Sequence, residues 1–588
     1  MKKIKFLLIL VVVAFAVSCN QEMLDNPKTG SFPDATYYEG DEAATSALAA
    51  LYFVFVNTPS REWNDLQLNL LYCLNNRAGE TTYTSFSASK DKQMIQCFQT
   101  DPANMAMVSD AYESLYLIVF YANKIIDNFA DGTTQIQKNA VAQARVARAC
   151  CYYFLITMFG TPPIVEHAVK NLEDAKVPNS TTEEAWAFYL NDLELAINSG
   201  ALESKKSLYD QDQVCFTKEF ALALQGRGLV FTKKYEEAKV SLKQIMESGL
   251  YALLPQSELQ TKFSNCTAGR HNCESLFEVN LVWDPTNPNA TRNSSCFHTH
   301  LLFDITCFDF EPDAYWTRGL YEWRGWYPDY SFVRDMLANE GTSPRFKAWL
   351  ISYEDLLDGG LKPIEKNHTA ATQEMLDASS SSPLTPRTDL EREDVYPSGV
   401  MTESCGFYIR KWLINFDTDI QNKNHYMATN DVLVMRYAEV LLLYAEACAM
   451  LGETGGDGLA ALNAIAERAG APTYSTLNLN NVKNERKFEL FCEGNRLYDL
   501  IRWGDAKEVL KDNHAIRANF YGYKPGKSRA DISADGKNIF DVYDIRLHDM
   551  KAILGYDSFS FKEGRDEYLP FPETELASNP NLRQNPGY

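Results

Sequence analysis

The sequence is short of basic residues. Its 588 residues include 56 Lys and Arg against 78 Asp and Glu, which gives a formal net charge of −22 at pH 7. Nucleic-acid binding needs a basic face to neutralise phosphates, so this balance argues against nucleic acid as a partner. It also argues against broad adhesion to anionic lipid. The acidity keeps the protein soluble and says little about its fold.

Motifs of common catalytic and metal centres are also missing. The sequence has no Gly-rich phosphate loop, no H-E-x-x-H and no G-x-S-x-G, and its 13 cysteines include no C-x-x-C pair. A zinc ribbon, a thioredoxin-like centre and the enzyme classes that use these motifs are therefore disfavoured. We predict no enzyme activity, no catalytic residues, no metal site and no cofactor. A structural calcium ion stays open, although nothing in the sequence signals one.

Long hydrophobic runs are absent outside the N-terminus. There, three lysines precede an apolar run at residues 6–17. A basic head with a short apolar core is typical of a secretory signal, and the run is too short for a comfortable transmembrane span. The sequence A-V-S-C ending at Cys19 resembles a bacterial lipobox. We predict a signal peptide at residues 1–18, lipidation of Cys19 and a lipidated tether at residues 19–40.

Apolar residues recur at helical spacing in the N-terminal half. They predict helices at about residues 43–56, 107–128, 136–159 and 182–198. The third helix should stop at Gly160, because two prolines follow shortly after it. The fourth has Ser180 or Thr181 as its capping residue and glutamates in its first turn.

Two further stretches look like tetratricopeptide units, which are pairs of antiparallel helices. In residues 217–249, Gly226 and Ala238 lie twelve positions apart, a spacing at which small residues let the two helices approach closely. A second unit spans residues 431–470, with a Gly-rich turn longer than the usual repeat allows. We expect degenerate repeats stacked as a scaffold, and not a regular solenoid.

Residues 257–430, between the two units, are poor in helical patterns and rich in Gly, Pro, Asn, Ser and aromatic residues. A long irregular insertion on a rigid scaffold is a usual place for a binding site. Aromatic rings offer flat apolar faces for the C–H faces of sugars, and nearby polar side chains can bind the hydroxyls. The sequence thus predicts an irregular, aromatic-rich ligand-binding insertion.

The most distinctive stretch is residues 484–504, which reads NERKFELFCEGNRLYDLIRWG. Read as one helix, it places Glu485, Glu489 and Glu493 on one stripe, where three like charges need cations nearby. Apolar residues fill the positions between the charges, and buried charges must be paired. We interpret the stretch as a structural ion-pair clamp and not as a catalytic site. The clamp residues are Glu485, Arg486, Glu489, Glu493, Arg496, Asp499 and Arg502.

The same residues carry a family resemblance. The segments ER from 485, EL from 489, EGNR from 493, DL from 499 and RWG from 502 resemble the C-terminal signature of the SusD/RagB family. Asn495 stands where that family most often has His. The stretches at residues 143–165 and 568–588, and the segment MRYAEVLLLYAEA, are also similar to the family. Its members are surface lipoproteins of Bacteroidetes that capture nutrients, usually glycans.

The resemblance implies a mainly α, SusD-like fold, in which a tetratricopeptide-like helix-pair scaffold carries a long irregular, loop-rich insertion. After the signal peptide (1–18) and the tether (19–40), we expect three segments. They are an N-terminal helical scaffold with TPR-like units (41–256), the ligand-binding insertion (257–430), and C-terminal TPR-like helices with the SusD signature (431–588).

The resemblance also places ligand contacts on loops from the N-terminal helices and on the insertion. Our candidate ligand-binding residues are Asn75, Arg77, Tyr83 and Phe86 in the first region, and Trp283, Trp316, Tyr321, Trp323, Trp326 and Tyr327 in the second. Any single ring can instead pack beneath loops, so the cluster is more informative than each member.

The implied function is capture of extended nutrient ligands, above all oligosaccharides or polysaccharides, at the cell surface. The implied partners are a SusC-like TonB-dependent transporter, the glycan and the outer membrane through the lipid anchor. Three alternatives stay open: a RagB-like peptide-capture protein, a scaffold for protein assembly, and a glycoside hydrolase. The hydrolase would need two carboxylates across a cleft, roughly 5–10 Å apart.

Overall fold

The computed structural model describes residues 38–56, 74–83, 94–104, 106–264, 269–279, 308–310, 326–358, 361–363, 404–411, 432–511, 516–549 and 559–588. The predicted signal peptide and the predicted lipidation site, Cys19, lie outside these ranges. Among the described helices, none is long and apolar enough to cross a membrane.

Helices form most of the regular structure in these ranges. They are α1 (Gly40–Val56), α2 (Ala106–Phe129), α3 (Gln135–Phe159), α4 (Thr182–Asn198), α5 (Lys218–Phe231), α6 (Tyr235–Glu247), α7 (Leu259–Ser264), α8 (Tyr330–Glu340), α9 (Pro344–Trp349), α10 (Tyr353–Asp358), α11 (Tyr437–Met450), α12 (Gly456–Ala469), α13 (Leu479–Glu489), α14 (Arg496–Trp503), α15 (Ala506–Val509), α16 (Ile539–Val542) and α17 (Glu573–Ser578). The prediction of a mainly α fold is confirmed.

The strands are short and pair as antiparallel two-stranded ribbons. They are β1 (Thr81–Tyr83), β2 (Ser275–Val279), β3 (Phe308–Phe310), β4 (Trp326–Pro328), β5 (Leu350–Ser352), β6 (Leu361–Pro363), β7 (Phe407–Ile409), β8 (Val432–Arg436), β9 (Ile516–Tyr523) and β10 (Tyr543–Asp549). The pairs are β1 with β4, β2 with β8, β3 with β6, β5 with β7 and β9 with β10.

The N-terminal helices follow their local sequence signals closely. Helix α4 begins after Thr181, whose hydroxyl accepts the Glu184 N–H while the Glu184 carboxylate accepts the Thr181 N–H, a complete capping box. Helix α3 ends at Gly160, which has φ +72°. A Cβ there would lie 2.7 Å from the Tyr568 ring, so this turn needs glycine for space as well as conformation.

Both predicted helix pairs are present, and they pack against each other. Within the first pair, a Cβ on Gly226 would lie 2.5 Å from the Leu242 side chain, so the missing side chain sets the approach of α5 and α6. Arg227 on α5 binds Glu439 on α11 through two hydrogen bonds, at 3.0 and 2.6 Å. In the second pair α11 begins only at Tyr437, because residues 432–436 pair with β2 as a strand.

Two hydrophobic cores lie side by side. The first joins α1–α6 with α11–α14 and the C-terminal segment. The second joins α8–α10, β5, β7, the signature residues Phe488, Phe491 and Cys492, and the β9–β10 ribbon. The described part of the predicted insertion is thus more regular than expected, because residues 330–358 form three helices and a strand around Trp349. The segment boundaries stay predictions.

Candidate functional site

The charged stretch at 484–504 is not one helix. Helix α13 ends at Glu489 and α14 begins at Arg496. Between them, Cys492 has φ +60° and Gly494 has φ +76°, and left-handed residues end a right-handed helix. Glu493 therefore lies in the turn and not on a helical stripe with Glu485 and Glu489, as the sequence pattern had suggested.

The cations that neutralise these glutamates come from distant parts of the chain. Arg345 at the start of α9 binds both Glu485 and Glu489. Arg436 at the end of β8 donates to Glu489 at 2.6 Å and to Glu493 at 2.6–3.0 Å. Arg345, Arg436, Arg468 and Lys411, all buried, were missed from the sequence. Only Arg436 carried a signal, because it lies in the family-like segment MRYAEVLLLYAEA.

The pKa values in this cluster follow from burial and pairing. Burial alone would raise the pKa of the Glu489 carboxyl, but Arg468, Arg436 and Arg345 outweigh it and hold the pKa well below its usual range. Burial raises the pKa of the Glu485 carboxyl, because Arg345 only partly opposes it. The cluster is thus a buried charge network in which the carboxyl groups are unequal.

A second network joins the two helices of the signature. Arg486 on α13 binds Asp499 on α14 at 2.8 and 3.1 Å. Arg502 binds Asp499 as well, and it also reaches Glu446 on α11. Arg496, which is partly buried, lies near the charges of Glu80 and Asp499, and desolvation lowers its pKa although both acids oppose this. These contacts fasten the signature turn to the helical scaffold.

The β1–β4 ribbon brings the two predicted ligand regions together. Its register places Tyr83 opposite Trp326 and Thr82 opposite Tyr327. Directly opposed residues in an antiparallel pair have Cα atoms about 4.5–5.5 Å apart. The predicted ligand residue Phe86 follows β1 by three positions, and Trp323 precedes β4 by three. The two predicted ligand regions are more than two hundred residues apart in the chain, and both adjoin the same end of the β1–β4 ribbon.

The ribbon is fixed at its base by Asp329. The backbone N–H of Asp329 donates to the Glu80 carbonyl at 2.9 Å, and the Thr82 hydroxyl donates to the Asp329 carboxylate at 3.0 Å. The same carboxylate caps α8 by accepting the Ser331 N–H at 2.8 Å. Burial raises the pKa of Asp329 above its usual value, and the hydroxyl and N–H donors oppose this only in part. One side chain thus joins the ribbon to the second core.

The loop at residues 74–80 is fastened to the C-terminal third of the chain. The Asn75 side-chain oxygen accepts the Gly494 N–H at 2.9 Å. Arg77 lies over the Phe98 ring, 4.9 Å from its centroid, and donates to the Asp566 carbonyl at 2.9 Å. The signature turn and the C-terminal segment therefore position the loop that leads into the ribbon.

The predicted ligand residues divide into three groups. Asn75, Arg77 and Tyr327 are buried, at 1, 1 and 2 % exposure. A direct ligand contact by these side chains would need their present packing to open. Tyr83 and Trp326 form the outer pair of the ribbon register. Phe86, Trp283, Trp316, Tyr321 and Trp323 lie outside the described residues.

Within the described ranges, no three His, Cys, Asp or Glu side chains converge as metal ligands would. The eight cysteines in these ranges form no disulfide bond there, and seven of them are buried. The predicted absence of metal, cofactor and catalytic residues stays a prediction. The described part of the candidate site is a two-stranded ribbon held by hydrogen bonds to a buried carboxylate.

The described structure is a scaffold of helix pairs that carries short two-stranded ribbons, and comparison with known proteins identifies the class of protein. A model described as "SusD family" matches residues 328–588, and one described as "Starch-binding associating with outer membrane" matches residues 68–227. A SusD-like protein of Bacteroides ovatus is 24% identical to this chain, covering 99% of it and 98% of the relative. This chain belongs to the SusD/RagB family, and family membership supports association with the outer membrane.

Solved structures share the fold. A laminarin-binding SusD-like protein superimposes with a TM-score of 0.68 at 21% identity, covering 94% of this chain and 100% of the other. Surface glycan-binding protein A from Bacteroides thetaiotaomicron, in complex with laminarihexaose, gives a TM-score of 0.63 at 18% identity, covering 93% and 99%. The prediction of a SusD-like fold is confirmed.

Proposed function

We propose that this protein is a lipid-anchored, cell-surface glycan-binding protein that captures extended oligosaccharides or polysaccharides and delivers them to a SusC-like TonB-dependent transporter. The ligand site would be built on the β1–β4 ribbon, and the protein would be non-catalytic. Lipidation at Cys19 would hold it at the outer membrane.

The register of the ribbon supports this proposal most directly. The two regions in which the family resemblance implies ligand contacts meet where Tyr83 lies opposite Trp326. An extended sugar can stack on several aromatic rings at once, and several weak contacts made together raise the overall affinity. The family descriptions and the glycan-binding neighbours support carbohydrate as the ligand class.

The charges of the molecule fit an uncharged ligand. With a net charge of −22, the protein repels polyanions, and its basic groups in the described core are largely engaged with glutamates and aspartates. Neutral sugars carry no such penalty, since they bind by ring stacking and hydroxyl hydrogen bonds.

Isothermal titration against a panel of soluble glycans, including laminarin and starch fragments, tests the proposal. We expect binding to at least one neutral glycan. The variants Trp316→Ala, Trp323→Ala and Trp326→Ala should each weaken it about twofold to tenfold, if a ring–sugar stack is worth what a ring–ring contact is. Phe53→Ala is the matched control, because this ring is 65 % exposed on α1 and outside the site.

The panel also separates the alternatives. Binding of peptides but no glycan would favour peptide capture, and release of shortened products from a bound glycan would show hydrolysis. Glycan binding that none of the three tryptophan changes weakens would overturn the proposed site. Delivery is tested by co-purification with the TonB-dependent transporter encoded nearest to the gene, which the Cys19→Ala variant should reduce if membrane anchoring is needed.

A further inference from the structure

Glu80 lies at the junction of the ligand ribbon and the ion-pair clamp. It directly precedes β1, and its carbonyl accepts the Asp329 N–H at 2.9 Å. Its side chain is only 1 % exposed, and neither carboxyl oxygen has a hydrogen-bond partner of ordinary geometry. A buried carboxyl without such partners is costly to ionise. The residue therefore joins the ribbon through its backbone and a buried site through its side chain.

Charged and titratable groups face this carboxyl from several elements. They are Arg496 at the start of α14, Lys411 after β7, and Glu493 and the Cys492 thiol in the signature turn. Asp329 approaches the Glu80 backbone from the ribbon side. Lys411 is itself engaged by Glu493 at 2.6 Å and by the Phe491 carbonyl at 2.7 Å. The positive charges near Glu80 are thus shared with other acids.

Burial affects the pKa of Glu80 more strongly than these charges do. It raises the pKa of Glu80 from 4.5 to about 8, even though Arg496, Lys411 and the Cys492 backbone N–H lower it. At neutral pH the buried carboxyl is therefore mostly protonated. An ionised Glu80 carboxylate would gain free energy by moving from its buried position into water. A movement of residue 80 that allowed this would break the hydrogen bond from the Asp329 N–H to the Glu80 carbonyl at the base of the ribbon.

We propose that Glu80 is a positioning residue whose proton holds the β1–β4 ribbon in its ordered arrangement, so that ionisation of Glu80 loosens the ligand site. The proposal deepens the proposed function and rests on it only for the identity of the ligand. The coupling between Glu80 ionisation and the order of the ribbon needs no ligand, so it can be measured on the ligand-free protein.

The sign follows from proton linkage. The ordered ribbon keeps the Glu80 proton up to about pH 8, whereas a loosened ribbon with Glu80 in water would lose it near the ordinary value of 4.5. The preference for the ordered ribbon is therefore full below about pH 4.5, declines as the pH rises toward about 8, and is constant above it. Since one proton is involved, the decline is at most about tenfold per pH unit.

Hydrogen–deuterium exchange of the ligand-free protein tests this coupling. Exchange rates of peptides that cover residues 78–83 and 326–332, corrected for intrinsic rates, are measured from about pH 5.5 to about pH 8.5. We expect protection to fall about threefold or more over this range in the wild type, and to stay constant in Glu80→Gln, which mimics the protonated carboxyl. Arg496→Gln should extend the decline to higher pH and leave its onset unchanged, because Arg496 favours the ionised form of Glu80 only in the ordered ribbon.

The matched control is Glu575→Gln. Burial also raises the pKa of Glu575, which lies on α17 beside Glu113 and away from the ribbon. This variant should keep the wild-type profile. A flat profile in the wild type, or an unchanged profile in Glu80→Gln, would overturn the inference.

Laminarin serves as the glycan probe in a second arm. Its affinity should fall about threefold or more over the same pH range in the wild type and stay constant in Glu80→Gln. A pH-dependent ribbon with no glycan bound at any pH would support the coupling and count against the proposed function. Glycan binding with a ribbon insensitive to pH would do the reverse.

Discussion

Arg436 donates from Nη1 to a carboxylate oxygen of Glu489 at 2.6 Å, although the two residues lie 53 positions apart in the chain. The same guanidinium reaches Glu274 at 3.0 Å, Glu493 at 2.6 Å and the Glu489 carbonyl at 2.8 Å. A planar fork with five donors suits such a convergence, which a lysine ammonium would not satisfy. The end of β8, strand β2 and the signature turn therefore meet at one side chain.

Replacing Arg436 by Met should strongly destabilise the protein. It leaves Glu489, Glu493 and Glu274 buried with less compensation, and breaking a buried ion pair on one side costs about 3–5 kcal/mol. Urea unfolding followed by tryptophan fluorescence measures the loss of unfolding free energy. Arg529→Met is the control, because Arg529 binds Asp358 on the surface, where both side chains are more than half exposed and such pairs contribute little. Equal losses in the two variants would contradict the argument.

Glu489 should make the fold sensitive to acid. Its pKa lies well below the ordinary value when folded, so its stabilising contribution is full above about pH 4.5 and is lost as the pH falls through the folded value. The midpoint of urea unfolding, measured from about pH 6 to about pH 3, should therefore fall less steeply in Glu489→Gln than in the wild type.

Glu485→Gln is the comparison for this prediction. The pKa of Glu485 is raised by burial, so glutamine resembles the form that the folded protein prefers at low pH. This variant should keep an acid sensitivity at least equal to that of the wild type, because it removes a carboxyl whose protonation favours the fold at low pH. If both variants lost it equally, the two carboxyl groups would not differ as the network implies.

Asp329→Ala should weaken both the ribbon and glycan binding. The change removes the cap of α8 and the acceptor for the Thr82 hydroxyl. Loss of a capping side chain costs about 0.5–2 kcal/mol, and the apparent glycan affinity should fall by up to about tenfold as the ordered ribbon becomes less populated. Titration calorimetry measures the affinity.

Thr181→Ala separates the local effect from general destabilisation. Thr181 caps α4 with a complete capping box, far from the ribbon in the element order. It should lose about as much stability, about 1 kcal/mol, without a change in affinity. A similar loss of affinity in both variants would show that stability alone governs binding.

Gly226→Ala should destabilise the first helix pair. An added Cβ would lie 2.5 Å from a methyl group of the fully buried Leu242, and overpacking costs about 1–3 kcal/mol. The gain in helix propensity, about 1 kcal/mol, offsets only part of this. Thermal unfolding measures the balance. Gly455→Ala, where no atom lies within 4 Å of the added Cβ, should be nearly neutral.

Local signals explain what the sequence predicted well. The helix at 182–198 was predicted with its observed bounds, because Thr181 and Glu184 form a cap within four residues. The contact between Gly226 and its neighbouring helix also follows from short-range spacing. In such short segments, the residues that contact each other in the fold are also close together in the sequence.

Long-range contacts explain what it predicted poorly. Nothing near Glu485 in the sequence reveals Arg345, which lies 140 positions away, so local pairs were expected instead. The break after Glu489 was missed although Gly494, a residue type common at helix ends, is left-handed; the other left-handed residue, Cys492, gives no such signal. The burial of Asn75, Arg77 and Tyr327 could not be predicted, because it depends on partners from the C-terminal third and from the second core.

The fastening of residues 74–80 has a consequence for how the protein is made. Gly494 binds Asn75 across 419 positions and Asp566 binds Arg77 across 489. A chain emerging from its N-terminus cannot complete this loop until its last segments have been delivered. Unfinished or truncated molecules should therefore lack a formed ribbon.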